Sequence, residues 1–402
     1  MNKKLAVLVS NPCNKDARVL KAIDVAKKQN FKVKVFCVTS ADVPSYEAKD
    51  GVEFIRSNWN PVDTALNLTV FSLIAKFSIK LAKAIIVAIM PYLKYSLFKK
   101  IFADGVIDFQ PDIIHSHDFI CLPTASYVSK ITGCKLIYDA HELEVHRNPP
   151  LPFFRKRYVG WLEKRCAKRA DAIITVGENI ANILSRSFKK KVHVVFNSPR
   201  IEPINRNIRE DLQLDDETPV MLYVGKVTVG RGVEEILSLM TTLPGVVFAA
   251  VGPCDQRSKE KLYKMAERLK ISQRFRILPP VHYTKVVSYI SGADVGLLSV
   301  MPVTLSYELC MPNKLFEMTF AEVPILANDL TEVRELITKL GNGRVLDFSV
   351  PEQLPGAITE IIAKKSSYIA NLKKESSQSL LKSISWENQE KLISDIYQDV
   401  LR

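Results

Sequence analysis

The strongest constraint on the fold is a succession of short, continuous apolar runs, each followed by an amphipathic stretch. Leu5–Val9, Lys32–Val38, Ile113–Ser116, Lys135–Tyr138, Ala172–Val176 and Val192–Val195 are rich in β-branched residues. Runs of this kind suit strands covered on both faces, the condition of a parallel sheet. Helical periodicity fills the gaps: in Asp16–Gln29, Val19, Leu20, Ile23 and Ala26 share one face. A second series begins after Asn197-Ser198-Pro199 and a polar stretch to Thr218. It comprises Val220–Val224, Val246–Val251, Phe275–Leu278, Val295–Leu298 and Ile325–Ala327. Two βαβ series predict an α/β chain of two Rossmann-like, doubly wound domains facing a central cleft. The expected domains are 1–198 and 199–384. The tail 385–402 is expected to form a helix packing back toward the first domain, with Leu392, Ile393, Ile396 and Tyr397 on one face.

At 402 residues the chain can bury more than one core. Its seven cysteines (13, 37, 121, 134, 166, 254 and 310) include no Cys-x-x-Cys pair. That argues against a disulfide framework and a ribbon-type zinc site, and for a reducing cytoplasm. Lys3 and Lys4 precede only a short apolar run that ends before Asn11-Pro12. Neither a signal peptide nor a transmembrane span is therefore expected. Net charge is +13 overall, but +14 through residue 198 and −1 beyond it. So one-sided an excess faces something anionic: a nucleic acid, a membrane surface or a phosphorylated substrate.

Two segments concentrate that charge. The stretch 63–102 is long, apolar and basic, with Asp63 its one acid. Lys76, Lys80 and Lys83 share a helical face, with Leu73, Ile74, Phe77, Leu81, Ile85 and Ile89 mostly on the other. Pro91 is expected to break or kink the helix. Lys94, Lys99 and Lys100 follow among Tyr92, Tyr95 and Phe98. A basic helix with an apolar face suits a membrane interface, and equally a core helix with a solvated lysine face. The second cluster, Arg155–Arg169, sets seven cations against Glu163 alone. The clusters come with aliphatic residues more than with exposed aromatics, and no nucleic-acid motif is present, so nucleic acid is not expected as a partner.

Candidate chemistry sits first in the second half. The strand Val220–Val224 runs into Gly225-Lys226-Val227-Thr228-Val229-Gly230-Arg231-Gly232. Glycines allow close backbone approach, and two cations with a helix start suit a diphosphate. A second strand-to-helix turn spans Ser306–Glu317, with Pro312 as the first helical residue. Asn313 and Lys314 would offer backbone N–H groups and a cation at the helix start. Glu317, one turn further in, could accept two ribose hydroxyls, or could simply favour the helix dipole.

With these residues in view, the chain resembles glycosyltransferase family 4, retaining enzymes of the GT-B fold, in the branch carrying PNKLFE, here at 312–317. Matching segments are PDIIHSHD (111–118), LIYDAHEL (136–143), ADAIITVGENI (170–180), YISGADVGL (289–297) and SWENQEKLISDIY (385–397). The resemblance implies that Lys226 and Arg231 meet the donor diphosphate, Glu317 the nucleotide ribose and His117 the transferred sugar. Asn313 and Lys314 would lie beneath the phosphates and sugar, with Gly225, Glu308 and Leu315 completing the donor site. The family spaces two glutamates eight apart. Eight before Glu317 stands Leu309, with Glu308 one place off. Either Glu308 reaches the sugar through a different turn, or backbone groups take that role. Lys226 replaces the commoner arginine with a point charge.

The implied reaction moves a hexose-type sugar from a UDP- or GDP-sugar to a lipid-linked or cell-surface glycan, with retention of configuration. It needs no metal or other cofactor, and it places the chain on the inner face of the cell membrane. Asp215-Asp216 reads as solvated surface and not as a metal pair. His115 and His117 share a strand face but lack a third ligand by spacing. His141 and His146 diverge on a helix, unlike a zinc-protease pair. His141 and Glu142 read as structural. The alternatives are a nucleotide-sugar epimerase or hydrolase on the same fold, and a silent scaffold.

Overall fold

The computed structural model describes residues 3–66, 68, 74, 78–201, 203–204 and 207–402. The chain divides into two compact units, residues 1–195 with 390–402, and residues 196–389. The terminal helix Trp386–Asp399 thus begins in the second unit and ends in the first.

In the first unit the strands are β1 (Lys4–Val9), β2 (Lys32–Val38), β3 (Tyr46–Lys49), β4 (Val52–Ser57), β5 (Ile113–His117), β6 (Lys135–Ala140), β7 (Ala172–Thr175) and β8 (His193–Val194). They form one sheet in the order β3-β4-β2-β1-β5-β6-β7-β8. Every pairing is parallel except β3 with β4. Leu5 to Val9 are fully buried, as a central parallel strand requires. The chain order reverses around β1, whose neighbours are β2 and β5. Crevices at the carboxyl ends of such switch strands are where doubly wound sheets bind ligands. His117 closes β5 at that edge.

The second unit holds β9 (Val220–Val224), β10 (Val247–Val251), β11 (Phe275–Leu278), β12 (Val295–Leu298), β13 (Ile325–Asn328) and β14 (Gly343–Leu346). Its sheet is parallel throughout, in the order β11-β10-β9-β12-β13-β14. Here β9 is the switch strand, and the glycine-rich loop leaves its carboxyl end. Alternate residues feed opposite cores: Val220, Leu222 and Val224 enter one cluster, Met221 and Tyr223 the other.

Two strands of the first sheet and one of the second were not anticipated. β4 alternates buried and half-buried residues, β3 is an exposed edge, and β14 is half-buried throughout. None is the continuous apolar run used to find the others. The helix Ala17–Lys28 is as expected, with the Asp16 carboxylate capping it by accepting from the Val19 N–H at 3.3 Å.

The basic segment departs from expectation. One helix, Ile79–Phe109, continues through Pro91, and Ser78 caps its start. Leu81 is 54% exposed and stands with the exposed Lys80 and Lys83 instead of opposite them. Tyr95 and Phe98 are core residues, and burial pushes the Lys94 ammonium down to about 8. Leu73, Lys76 and Phe77 lie outside the described residues. Among the described residues, no helix is long and apolar enough to cross a membrane. All seven cysteines are free thiols, five of them buried.

The other basic segment forms the helix Phe153–Ala167. Its single acid, Glu163, is turned inward at 3% exposure and accepts from the Tyr138 hydroxyl on β6 at 2.8 Å. Burial pushes this carboxyl up to about 8, against the partial relief of the tyrosine bond. Such a group supports the fold fully below the ordinary glutamate value of 4.5, and the support fades as pH rises through about 8. Glu163→Gln should therefore flatten the fall in urea-unfolding stability across that window, by about 1–3 kcal/mol at the alkaline end. Equal pH dependence in both proteins would refute the buried-acid account.

Candidate functional site

Each unit gathers charged and polar side chains near the carboxyl ends of its inner strands. In the first unit the centre is Asp139 on β6, 2% exposed. Arg18, in the first turn of its helix, grips it through Nε to Oδ2 at 2.8 Å and Nη2 to Oδ1 at 2.7 Å. The same guanidinium donates to the Val195 carbonyl at 2.7 Å. His117 Nδ1 lies 3.3 Å from Asp139 Oδ2 and 3.3 Å from His141 Nε2. His141 places Nδ1 3.1 Å from Asp118 Oδ1 and Nε2 3.5 Å from Asp139 Oδ2.

The charge state follows from this arrangement. Burial alone would raise the Asp139 carboxyl, but Arg18 and then His141 outweigh it and hold it well below the carboxylate range. Burial alone would lower His141, but Asp118 and Asp139 outweigh it and lift the imidazole to about 10. His141 is thus an imidazolium between two carboxylates. His115, fully buried and stacked on His117 at 4.2 Å, is pushed well below its ordinary value by burial and by His117. Its Nδ1 meets the Tyr397 hydroxyl at 2.9 Å. Asp118 holds a left-handed φ of 62°, unusual for a residue with a side chain. The buried Nε2 of His117 has no hydrogen-bond partner among the described residues.

The third ligand that spacing did not reveal is Asp139: with His115 and His117 it forms a compact buried group of metal-ligand type. The donor set does not suit a cation, because both Asp139 oxygens are already bonded to the Arg18 guanidinium. A metal there would face that fixed positive charge at close range.

In the second unit, Gly225, Gly230 and Gly232 all adopt positive φ. Gly252, after β10, has φ +147°, and a Cβ there would lie 1.9 Å from the Gly225 carbonyl oxygen. The two strand-end loops therefore touch backbone to backbone, supported by the Val227 N–H donating to Pro253 at 2.9 Å. Lys226 and Arg231 are exposed on the loop. Lys314 lies 4.7 Å over the Tyr223 ring, whose hydroxyl donates to the Lys226 carbonyl at 3.2 Å. Burial first, and the nearby Arg231 charge, push the Lys314 ammonium down to about 8 against the pull of Cys310 and Glu317. Arg231, Lys314 and Glu317 are thus electrostatic neighbours.

The turn before them differs from expectation. Leu305–Glu308 is a short helix and not a strand, and Pro312 is the cap before Asn313–Phe320. Asn313 is exposed and Glu317 half-buried. Glu308 is exposed at the end of its helix, while Leu309, at the family's usual acid position, is 7% exposed and turned inward. Leu315 is fully buried, and its N–H donates to the Pro312 carbonyl at 2.9 Å, so it anchors the turn by packing. Sequence reasoning missed Arg18, Asp118, Asp139 and Gly252, and took His141 as merely structural. The available signals were acids interleaved with histidines in HSHD and DAHE, and a glycine directly after a strand.

Comparison with known proteins now decides the family. Residues 19–198 match the model of Glycosyltransferase Family 4, and residues 204–378 match that of Glycosyl transferases group 1. The chain belongs to the family-4 glycosyltransferases. D-inositol 3-phosphate glycosyltransferase of Mycobacterium marinum is 26% identical over 199 residues, 46% of this chain and 42% of that protein. The match thus spans less than half of the curated relative. Sucrose-phosphate synthase from Thermosynechococcus elongatus superposes with TM-score 0.75 at 15% identity, covering 99% of both chains. HepE of Anabaena, in complex with UDP-glucose, gives 0.68 at 14% identity over 98% of this chain and 99% of that one. At those identities the likeness speaks for the fold, which is of the GT-B class.

Two outcomes follow for this glycosyltransferase. His141 should stay doubly protonated at pH 8 and titrate near 10 by nitrogen NMR of labelled histidine, with Asp118→Asn bringing the titration down toward neutral. Stability from this group is complete below the ordinary histidine value and is lost as pH rises through about 10. Gly252→Ala should cost about 2 kcal/mol or more in urea unfolding, because the Gly225 backbone must give way. A neutral result would mean that the loops do not meet.

Proposed function

We propose that this glycosyltransferase moves a hexose-type sugar from a UDP- or GDP-sugar to a lipid-linked or cell-surface glycan acceptor, with retention of configuration. The observation that carries the reading is the convergence of Arg231, Lys314 and Glu317 beside a glycine loop at the switch strand of the second sheet. A nucleoside diphosphate is the ligand whose charges fit it. Backbone N–H groups and cations take the phosphates, and a carboxylate takes the ribose. That HepE is solved with UDP-glucose supports a nucleotide-sugar donor.

In this reading Lys226 and Arg231 stabilise charge on the departing β-phosphate, worth about 2.7–4 kcal/mol for one well-aimed donor. Lys314, half-desolvated in the free protein, regains full charge when an anion binds beside it. Glu317 holds the ribose, Gly225 and Gly252 admit the backbone to the phosphates, and Asn313 presents the helix start. Glu308 is assigned to the sugar hydroxyls. His117, oriented by Asp139 and His141, is assigned to the transferred sugar. The leaving diphosphate accepts the acceptor proton on the face it departs from. No step requires a metal ion, since the cations do the electrostatic work. The acceptor belongs to an anionic membrane on its inner face, against the basic first half of the chain.

Thermal unfolding with UDP, GDP and their sugar conjugates in the presence of a chelator tests this. One nucleotide series should stabilise the protein, by about 2.7 kcal/mol at a hundredfold excess over its dissociation constant. Arg231→Ala and Glu317→Ala should each remove most of that gain while melting normally without ligand. Stabilisation that appears only with a divalent ion would contradict the metal-free reading. Stabilisation undiminished in both variants would contradict the site.

A further inference from the structure

The helix Phe153–Ala167 presents an unusual surface. Its exposed residues are Phe153, Phe154, Arg157, Trp161, Lys164 and Arg165. All are aromatic or cationic, and the one acid of the helix, Glu163, is buried. Phe153 is 67% exposed, Phe154 78% and Trp161 55%. Side chains four apart share a helix face, so Phe153, Arg157, Trp161 and Arg165 form one stripe. Along it the Arg157 guanidinium stands 5.8 Å over the Phe153 ring, and that of Arg165 5.4 Å over Trp161. The stripe continues onto the helix Ile79–Phe109. Tyr158 packs on Trp161 at 6.2 Å and on the exposed Tyr92 at 5.1 Å.

Exposed phenylalanines have no hydrogen bond to offer water, and large apolar groups clustered at a surface mark an interaction site. The absence of exposed negative charge on this helix selects an anionic partner. Trp and Tyr favour the headgroup level of a bilayer, while Arg and Lys extend past them to the phosphates.

We propose that this aromatic-cationic stripe is the membrane-docking surface of the protein, with Phe153 and Phe154 entering the acyl boundary of an anionic leaflet and Arg157, Lys164 and Arg165 binding lipid phosphates. This deepens the membrane-facing acceptor reading and rests on it. It shifts the centre of the docking surface from the helix Ile79–Phe109, whose Tyr95 and Phe98 are committed to the core, to the helix Phe153–Ala167, with Tyr92 at its margin.

Co-sedimentation with phosphatidylcholine vesicles, with and without phosphatidylglycerol, is the test. Three proteins are compared: wild type, the triple variant Phe153→Ser, Phe154→Ser and Trp161→Ser, and the pair Lys80→Gln and Lys83→Gln. Wild type should bind the anionic vesicles, more weakly as salt rises. The aromatic variant should lose about tenfold or more in partitioning at an unchanged melting temperature, and the lysine pair less. Trp161 fluorescence should shift blue on binding and be quenched by brominated acyl chains, which a purely electrostatic or protein contact would not produce. If wild type binds no anionic vesicle, the membrane reading itself falls. If wild type binds and the aromatic variant binds equally, the stripe is not the docking surface, although the membrane reading stands. Two further outcomes also overturn the proposal. One is vesicle binding abolished by competing single-stranded RNA while Trp161 stays unquenched. The other is a lipid-free dimer that the aromatic variant dissociates.

Discussion

Asp139 is the residue on which the first unit turns. Its buried carboxylate would be costly alone, and breaking such a pair leaves an unpaired buried charge. Arg18 meets both oxygens, so the first helix, β6 and the chain at Val195 are tied through one guanidinium. The same carboxylate sits against His117 and His141. Asp139 therefore joins fold and site: the group that holds the unit together also keeps a strand-end histidine in place. Asp118 supplies the second negative charge that keeps His141 protonated. This balance of two carboxylates, one guanidinium and one imidazolium leaves His117 Nε2, like His115 Nε2 and Ser116 Oγ on the same strand, without a hydrogen-bond partner among the described residues.

The second unit solves a different problem with backbone. Its switch strand hands the chain to a helix through a loop with three glycines at positive φ. Gly225 and Gly252 touch across two strand ends, so close that a side chain at Gly252 would run into the Gly225 carbonyl. Beside that bare backbone stand two cations and a carboxylate, Arg231, Lys314 and Glu317, which interact electrostatically. In the proposed function, anion binding is divided between this loop geometry and these charges, and the partly desolvated lysine at about 8 belongs to the same arrangement.

Much of this was legible in the residues. Leu5–Val9 and Val220–Val224 announce themselves as central strands because both faces are buried and every residue is apolar. The same rule fails at the edges. Tyr46–Lys49 and Gly343–Leu346 pair on one side only and carry polar residues that solvent accepts. Pro91 was expected to break or kink its helix; the helix is not broken there, and Tyr95, Phe98 and Phe102 are anchored in the core beyond it. The glycine loop and PNKLFE could be picked out because each is a run of neighbours in sequence. The cluster of Arg18, Asp118, Asp139 and His141 was not, because it joins a helix, two strand ends and a loop far apart in the chain. The second basic cluster was read as charge alone. Only side-chain exposure shows that its companions are Phe153, Phe154 and Trp161.

Hydrogen exchange followed by mass spectrometry, with and without a saturating nucleotide-sugar, tests the central claim most directly. The account predicts slowed exchange in two separate peptides of the second unit, Gly225–Gly232 and Met311–Glu317, with little change along the outer helix Gln256–Arg268. Protection confined to other segments, or none with any UDP- or GDP-sugar, would contradict a donor site built on the glycine loop and the helix start at Asn313.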